Sequence, residues 1–450
     1  MRMHLPEGLK KISRTLTGSG RHCFLVGGAV RDHLLGKKVT DYDLATDAPP
    51  EEVMKLFRRV IPTGLKHGTV TVLEGGRQYE VTTFRTESGY SDGRRPDAVS
   101  WTADVDEDLR RRDFTINAMA YDPATHRLHD PFGGRADLAA RIIRALGDPR
   151  DRLSEDALRI LRAVRFSVQL AFSIEPKTHE AMTELCPLID RISRERIRDE
   201  LDKILTADEP SAGFLIMREI GLLRRILPEL DDCAGVAQPG LHCFDVFLHS
   251  LYACDGAPRD NPAVRIAALL HDAGKPLCAG YSAENEIRFY GHEIQGERLA
   301  REIMTRLRYP NTLIDKVAVL VRCHMFNYDH TWTNAAVRRL IRRAGPDNMA
   351  DLLALRRADQ FGMCRQRTDA AYLVELERRI QGEFDSRAAL SLNDLAINGK
   401  DLMRELPLPE GEQIGIVLDF LLESVLDDPA LNEPGRLLAL ARRFVQERLG

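Results

Sequence analysis

The chain has 450 residues, 44% of them hydrophobic, which is enough to bury a large core and long enough for two to four domains. Its 64 Lys and Arg nearly balance 68 Asp and Glu, leaving a net charge of −4, so global charge announces no nucleic-acid partner and any basic surface must be local. No uninterrupted apolar run reaches the roughly 18 residues a spanning helix needs, which excludes a membrane protein of that type. The eight cysteines (23, 186, 233, 243, 254, 278, 323 and 364) include no C-x-x-C pair, a pattern expected of reduced thiols in a cytoplasmic protein.

In chain order, Leu5, Leu9, Ile12 and Leu16 fall at helical spacing and predict an amphipathic helix rather than a cleaved leader. Residues 21–145 alternate short β-type runs (HCFLVG, YDLAT, TVTVL, YEVTTF) with helical patterns and Gly turns, a mixed α/β signature. TVTVL and YEVTTF flank Glu74-Gly75-Gly76-Arg77 and predict an antiparallel hairpin. RTESGYSDGRRPDAVSW (85–101) has little periodicity and predicts a mobile loop. After about residue 150 the β signals stop. From Ser154 onward the pattern is amphipathic helix after helix, broken at Glu175-Pro176, Glu209-Pro210 and Gln238-Pro239-Gly240.

The chemistry begins at VTDYDLAT. On an extended segment alternate side chains share a face, so Asp41 and Asp43 point together while Tyr42 and Leu44 point into the core. Glu80, on the predicted hairpin, is a candidate third carboxylate. Three clustered acids need cations to offset their repulsion, and two Mg²⁺ ions about 3.5–4 Å apart suit a phosphoryl displacement. A D-x-D pair alone is more often a turn cap. Upstream, FLVGG ends a strand and AVRDHLLG begins a helix, so Gly27 and Gly28 lie where bare backbone N–H groups can receive phosphate. The P-loop pattern G-x-x-x-x-G-K-[ST] is absent.

LVGGAVRDHLLG…TDYDLAT, followed by EVTTFRTESGYSDGRRP, LRRRDFTINAMAYD and DPFGG, resembles the class II tRNA nucleotidyltransferase and bacterial poly(A) polymerase family. SEDALRILRAVRF and ISRERIRDEL resemble its neck motifs, so the likeness covers the first 200 residues well. The resemblance implies an α/β nucleotidyltransferase head of the polymerase-β type with a mixed sheet, followed by an all-α neck, body and tail. It implies that Asp41 and Asp43, with Glu80 as a weaker third, hold two Mg²⁺ ions. Gly27, Gly28, Arg31 and Asp32 would hold the triphosphate and shape the pocket. Arg112, Asp113 and Asn117 would contact phosphate and ribose, whereas Arg111 reads better as a solvated cation.

Asp156 and Arg159 stand three apart in the helix expected to open at Ser154 and would reach one face of the pocket. Cytosine N3 and adenine N1 accept from Arg, and the adjacent exocyclic amines donate to Asp, whereas uracil and guanine present the opposite polarity. By the resemblance this pair replaces a template; by default a D-x-x-R pair is an intrahelical salt bridge. Arg162 and Arg165 continue the same face into the pocket. Arg191, Arg194, Arg196 and Arg198 form the next basic run, some as structural pairs and others tracking tRNA phosphates.

HCFDVFLHSLYACD (242–255) and AALLHDAGKP (267–276) resemble the HD superfamily of metal-dependent phosphohydrolases. His249, His271, Asp272 and Asp359 fit its ligand order for one divalent metal of unstated identity, with His292 and His324 as extra candidates. The bland alternative is a helix terminus with a core histidine.

These readings divide the chain into a head at 1–145, a nucleotide-selecting helical neck at 146–235, an HD-type metal domain at 236–365 and a helical tail at 366–450. They imply addition of C, C and A to a tRNA 3′ end from CTP and ATP, with no membrane and no protein partner. Rivals are an A-adding or CC-adding enzyme, a poly(A) polymerase, or an HD phosphohydrolase with a nucleotide-sensing N-terminal half. The YSDGRRP loop resembles the complete form of the family's flexible loop, which favours completion with A.

Overall fold

In the computed structural model the described residues are 3–88, 98–283, 285–366, 371–386, 388–406 and 411–448. They fall into two compact units, 1–228 and 229–450.

The first unit is built on a seven-stranded sheet. Its strands come from β1 (Cys23–Val26), β2 (Asp43–Thr46), β3 (Val60–Gly64), β4 (Thr69–Glu74), β5 (Arg77–Thr83), β8 (Ala120–Tyr121) and β9 (Leu128–His129); β6 (Arg85–Ser88) and β7 (Ala98–Trp101) form a separate ribbon. The sheet order is β3-β4-β5-β2-β1-β8-β9, with β2 and β5 parallel and the other pairs antiparallel, the mixed sheet expected. The predicted N-terminal helix is Glu7–Gly18, and its Leu9, Ile12 and Leu16 are fully buried. The hairpin turn is tighter than expected: β4 runs through Glu74 and β5 starts at Arg77, leaving only Gly75-Gly76 between them.

Segment 85–101 is not simply a loop. Arg85 pairs with Trp101 and Ser88 with Ala98 in the β6–β7 ribbon. YSDGRRP lies outside the described residues.

The helix expected to open at Ser154 also differs. Asp148, followed by Pro149 at the first helical position, caps a helix at Pro149–Glu155 by accepting from the N–H groups of Arg150 and Asp151. Ser154 is inside that helix, Asp156 is extended, and a second helix spans Leu158–Leu170. That second helix packs on Arg194–Leu205. Short strands persist past residue 150, at Ser173–Ile174 and in a hairpin of Ala279–Tyr281 with Ile287–Phe289.

The second unit is otherwise helical. The Asp245 carboxylate starts Val246–Gly256 by accepting from Leu248 N–H, and Asn261 starts Pro262–Leu270 the same way through Val264 N–H. Val246–Gly256 packs closely along Met349–Cys364, where a Cβ at Gly362 would lie 2.7 Å from His249 O. Further along, Arg338 is buried in an ion pair with Glu383 (2.9 Å) and also donates to Leu426 O (2.7 Å), which offsets the cost of burying its charge. The expectation of eight reduced thiols fails at one place: Cys243 and Cys364 form a disulfide, joining the approach to one of those closely packed helices with the end of the other. The remaining six cysteines are free. Among the described residues no helix is long and apolar enough to cross a membrane.

Candidate functional site

The β1–β2 ladder pairs Val26 with Asp43, so Gly27, the next residue, lies beside that carboxylate. Gly27 has φ +68°, and a Cβ there would sit 2.9 Å from Arg112 Nη1 and 3.8 Å from Asp43 Oδ2. The positive φ calls for glycine, and a side chain there would also have to displace the Arg112 guanidinium. On its other side β2 places Asp43 in register with Glu80 of β5. Asp41 lies two residues before Asp43, and all three acids remain open to solvent. The protein around Asp43 nevertheless strips water from its carboxyl and Glu80 repels it, so its pKa is raised although Arg112 opposes the shift; Asp41 adds to the rise. An acidic edge that resists carrying its own charge fits a divalent cation.

Asp113 forms the back wall. Burial alone would raise its carboxyl pKa, but Arg162, through two contacts of 2.8 and 2.5 Å, and the Asn117 amide at 3.0 Å hold it well below the usual range. Arg31 donates to Asn117 Oδ1 (2.9 Å) and to Asp32 Oδ1 (2.8 Å). Arg112 is half-buried with its enclosed Nε lacking a hydrogen-bond partner, and desolvation lowers its pKa against the pull of Asp108. Arg165 is pushed down to about 10, by burial first, against the pull of Glu200 2.6 Å away.

Asp156 and Arg159 do not pair with one another, which corrects the intrahelical salt bridge as well as the single-helix placement. Asp156 receives Arg196 at 2.6 and 3.3 Å, while Arg159 donates to Arg152 O (2.6 Å) and pairs with Glu155. Both still face a cavity of about 450 Å³. Gly27, Gly28, Arg31, Asp43, Arg112, Asp113, Asn117, Asp156, Arg159, Arg162 and Arg165 all line it. Asp32 stands beside it through Arg31, and Asp41 and Glu80 flank Asp43 rather than lining the cavity wall. Arg111 is less solvated than expected, being paired with buried Asp108 at 2.7 Å. Sequence reasoning missed Phe166, whose ring lies 4.0 to 5.5 Å from the guanidinium carbons of Arg165, Arg31 and Arg162. Its spacing of four from Arg162 was the available signal. Arg196 was singled out only as part of a basic run.

In the second unit His249, His271, Asp272 and Asp359 come together as expected, and His292 and His324 join them. All six are buried. The helix contact at Gly362 brings Asp359 to His249, and Gly274, where a Cβ would lie 2.3 Å from His292 O, admits the helix His292–Arg306 to the cluster. Burial disfavours the charged form of His271, but Asp272 and Asp359 outweigh it and raise the imidazole to about 10. Burial and His271 push His324 down to about 3. Beside the cluster opens a cavity of about 370 Å³, to which Lys275, Arg288, Phe289, Tyr290 and Arg356 contribute.

The poly A polymerase head domain matches residues 23–144, the probable RNA and SrmB-binding site of polymerase A matches 171–233, and the putative tRNA nucleotidyltransferase domain 2 matches 292–441. A CCA-adding enzyme of Lactiplantibacillus plantarum is 33% identical over 98% of this chain and 97% of its own length. One from Geobacillus stearothermophilus is 34% identical over 95% and 94%. The crystal structure of the Bacillus stearothermophilus CCA-adding enzyme in complex with CTP superposes with a TM-score of 0.75 at 29% identity, covering 99% of both chains. A Thermotoga maritima CCA-adding enzyme complexed with tRNA shares the fold with a TM-score of 0.58 at 20% identity over 97% and 94%. With a full-length match at this level added to the head's sheet and carboxylate edge, the chain belongs to the family of class II CCA-adding enzymes and poly(A) polymerases.

Proposed function

We propose that this protein adds C, C and A to the 3′ end of tRNA from CTP and ATP, releasing pyrophosphate at each step. The observation that carries the reading is one cavity bounded by the Asp43 edge, a set of arginines and the Asp156 and Arg159 side chains. Asp41 and Asp43, with Glu80 beside them, would hold Mg²⁺, which when bound offsets their repulsion and the charge on the phosphate oxygens. Gly27 and Gly28 let the triphosphate approach the backbone, and Arg31, Arg112 and Arg165 balance its charge. The RNA 3′-hydroxyl attacks the α-phosphate while Asp113, fixed by Arg162 and Asn117, marks the sugar end of the pocket. Asp156 accepts from the exocyclic amine of cytosine or adenine and Arg159 donates to the ring nitrogen next to it. The names of the relatives, which include enzymes seen with CTP and with tRNA, support the same substrates. A cytoplasmic setting belongs to this reading; the six free thiols fit it, and the Cys243–Cys364 disulfide does not.

The test is pyrophosphate release on a tRNA transcript lacking CCA. Wild type should release it with CTP and ATP, and Asp41→Ala and Asp43→Ala should each reduce it by about a hundred- to a thousandfold, the scale lost with an electrostatic anchor of the transition state. Undiminished release by either variant would remove the carboxylates from their role.

A second activity is favoured by one specific observation, the six buried imidazole and carboxylate side chains of the second unit. They suit a divalent-metal phosphohydrolase site of the HD type. His271→Ala should abolish metal-dependent phosphatase activity and leave nucleotide addition intact; loss of both together would count against two separate sites.

A further inference from the structure

We propose that Cys243 and Cys364 are a reversible dithiol–disulfide pair, a modification site for redox-active thiols, whose bridge fastens residues 238–243 as a strap along a cavity of the second unit. The strap and its thiols behave the same whatever the neighbouring histidine–aspartate cluster binds.

The bridge is open to exchange. Cys243 is exposed and Cys364 half-buried, so an external thiol reaches the bond from solvent, and accessible disulfides are the labile ones. The other six cysteines are free; five are buried and Cys278 is half-buried. Burial pushes the thiols of Cys23 and Cys254 up to about 12, which leaves them unreactive. One accessible bridge beside six shielded thiols is the pattern of a chain kept mostly reduced, with a single pair set aside for oxidation.

The bridge ties down a segment with little else to hold it. From 232 to 245 the chain runs as turns and irregular backbone between the helices Pro228–Asp231 and Val246–Gly256. Pro239, Gly240 and Leu241 are exposed, so the middle of the strap adds little burial. Its non-covalent ties include Cys243 N–H donating to Met363 O (2.9 Å), Lys275 Nζ donating to Gln238 Oε1 (2.5 Å) and the His242 ring packed edge-on to His249 at 5.0 Å. A segment held this way opens at low cost, and a covalent tie at its end suppresses that opening.

The strap forms part of the cavity wall. Gln238, Pro239 and His242 line the cavity of about 370 Å³, and Met363, the neighbour of Cys364, lines it too. Loosening the strap therefore widens that cavity. The thiols also stay near one another once reduced. The helices Val246–Gly256 and Met349–Cys364 meet so closely that a Cβ at Gly362 would lie 2.7 Å from His249 O, which keeps Cys364 beside the approach to the first helix without the bridge. A loop of 121 residues is thus already closed when the bond re-forms.

In reduction, a thiolate of an external dithiol bonds to Cys243 Sγ, the bond between Cys243 and Cys364 breaks, and the Cys364 sulfur leaves as a thiolate and takes a proton. The second thiol of the dithiol then displaces Cys243, giving the oxidised dithiol and two protein thiols, a transfer of two electrons and two protons. Oxidised glutathione reverses the exchange and leaves as two molecules of its thiol.

The experiment equilibrates the full-length protein in mixtures of reduced and oxidised glutathione, traps thiols with N-ethylmaleimide in denaturant, and counts label at each cysteine by mass. Cys243 and Cys364 should gain and lose label together across mixtures in which the other six stay fully labelled. A bridge that persists in every mixture, or thiols that pair in none, would overturn the reversible pair. Amide hydrogen exchange over 238–243 should then be at least about tenfold faster in the reduced protein than in the oxidised one, with the helix Leu158–Leu170 unchanged. Cys243→Ser and Cys364→Ser should each match the reduced protein. Equal exchange over 238–243 in the two redox states would overturn the strap, and that comparison needs only wild type, so it stands even where a variant fails to fold.

Discussion

Asp156 is held by Arg196 through contacts of 2.6 and 3.3 Å, across 40 residues, while Arg159 three positions away turns to Glu155 and Arg152 O. Each member of the base-reading pair thus has its own support. Arg196 fixes the position of the Asp156 carboxylate, and both side chains line the same cavity without pairing with each other.

Arg196→Ala should therefore damage selection rather than chemistry. A charge-assisted hydrogen bond contributes about 1.5–3 kcal/mol, so kcat/KM for CTP and ATP should fall roughly ten- to hundredfold relative to UTP and GTP. The check is single-nucleotide incorporation with each of the four triphosphates. An equal loss for all four would show that Arg196 serves the fold alone.

Acid should weaken the first unit through Asp113. Its folded carboxyl pKa lies below the unfolded value near about 4, so the ionised group contributes stability above that value and loses it progressively as pH falls through the folded one. Between pH 5 and pH 3 the thermal midpoint of wild type should fall more steeply than that of Asp113→Asn, which should already be lower at pH 7. Parallel pH profiles for the two proteins would refute the assignment.

Reduction should act on the second unit. The Cys243–Cys364 bridge closes 121 residues, and native disulfides of long loops contribute about 2–4 kcal/mol, mainly by restricting the unfolded chain. Cys243→Ser, or treatment with reductant, should lower the unfolding transition of that unit by several degrees without altering nucleotide addition. A transition insensitive to reductant contradicts the bridge as a stabilising link.

The head was legible because its chemistry is compressed into short motifs whose geometry follows from strand alternation. Asp43 and Glu80 needed only period-two patterning and one hairpin to be placed on neighbouring strands, whereas Asp41 lies just ahead of its strand rather than on it. The break at Asp156 was not legible, because the residues on both sides form helix well and the interruption is made by Asp156 itself, extended and accepting from the Leu158 N–H that opens the next helix. Phe166 was hidden for the opposite reason: an apolar residue on a helix reads as core until the arginines around it are placed. His292 and His324 were under-rated because they are isolated in sequence, and only close approaches at positions such as Gly274 and Gly362 reveal what they join. The disulfide was invisible for the same reason, its cysteines being 121 residues apart.

The central claim is tested most directly by sequencing the products formed on a tRNA transcript that lacks its last three nucleotides, incubated with Mg²⁺ and with CTP, ATP or both. The account predicts two C with CTP alone and the completed CCA with both. A product that never contains C, or a long run of A, contradicts it.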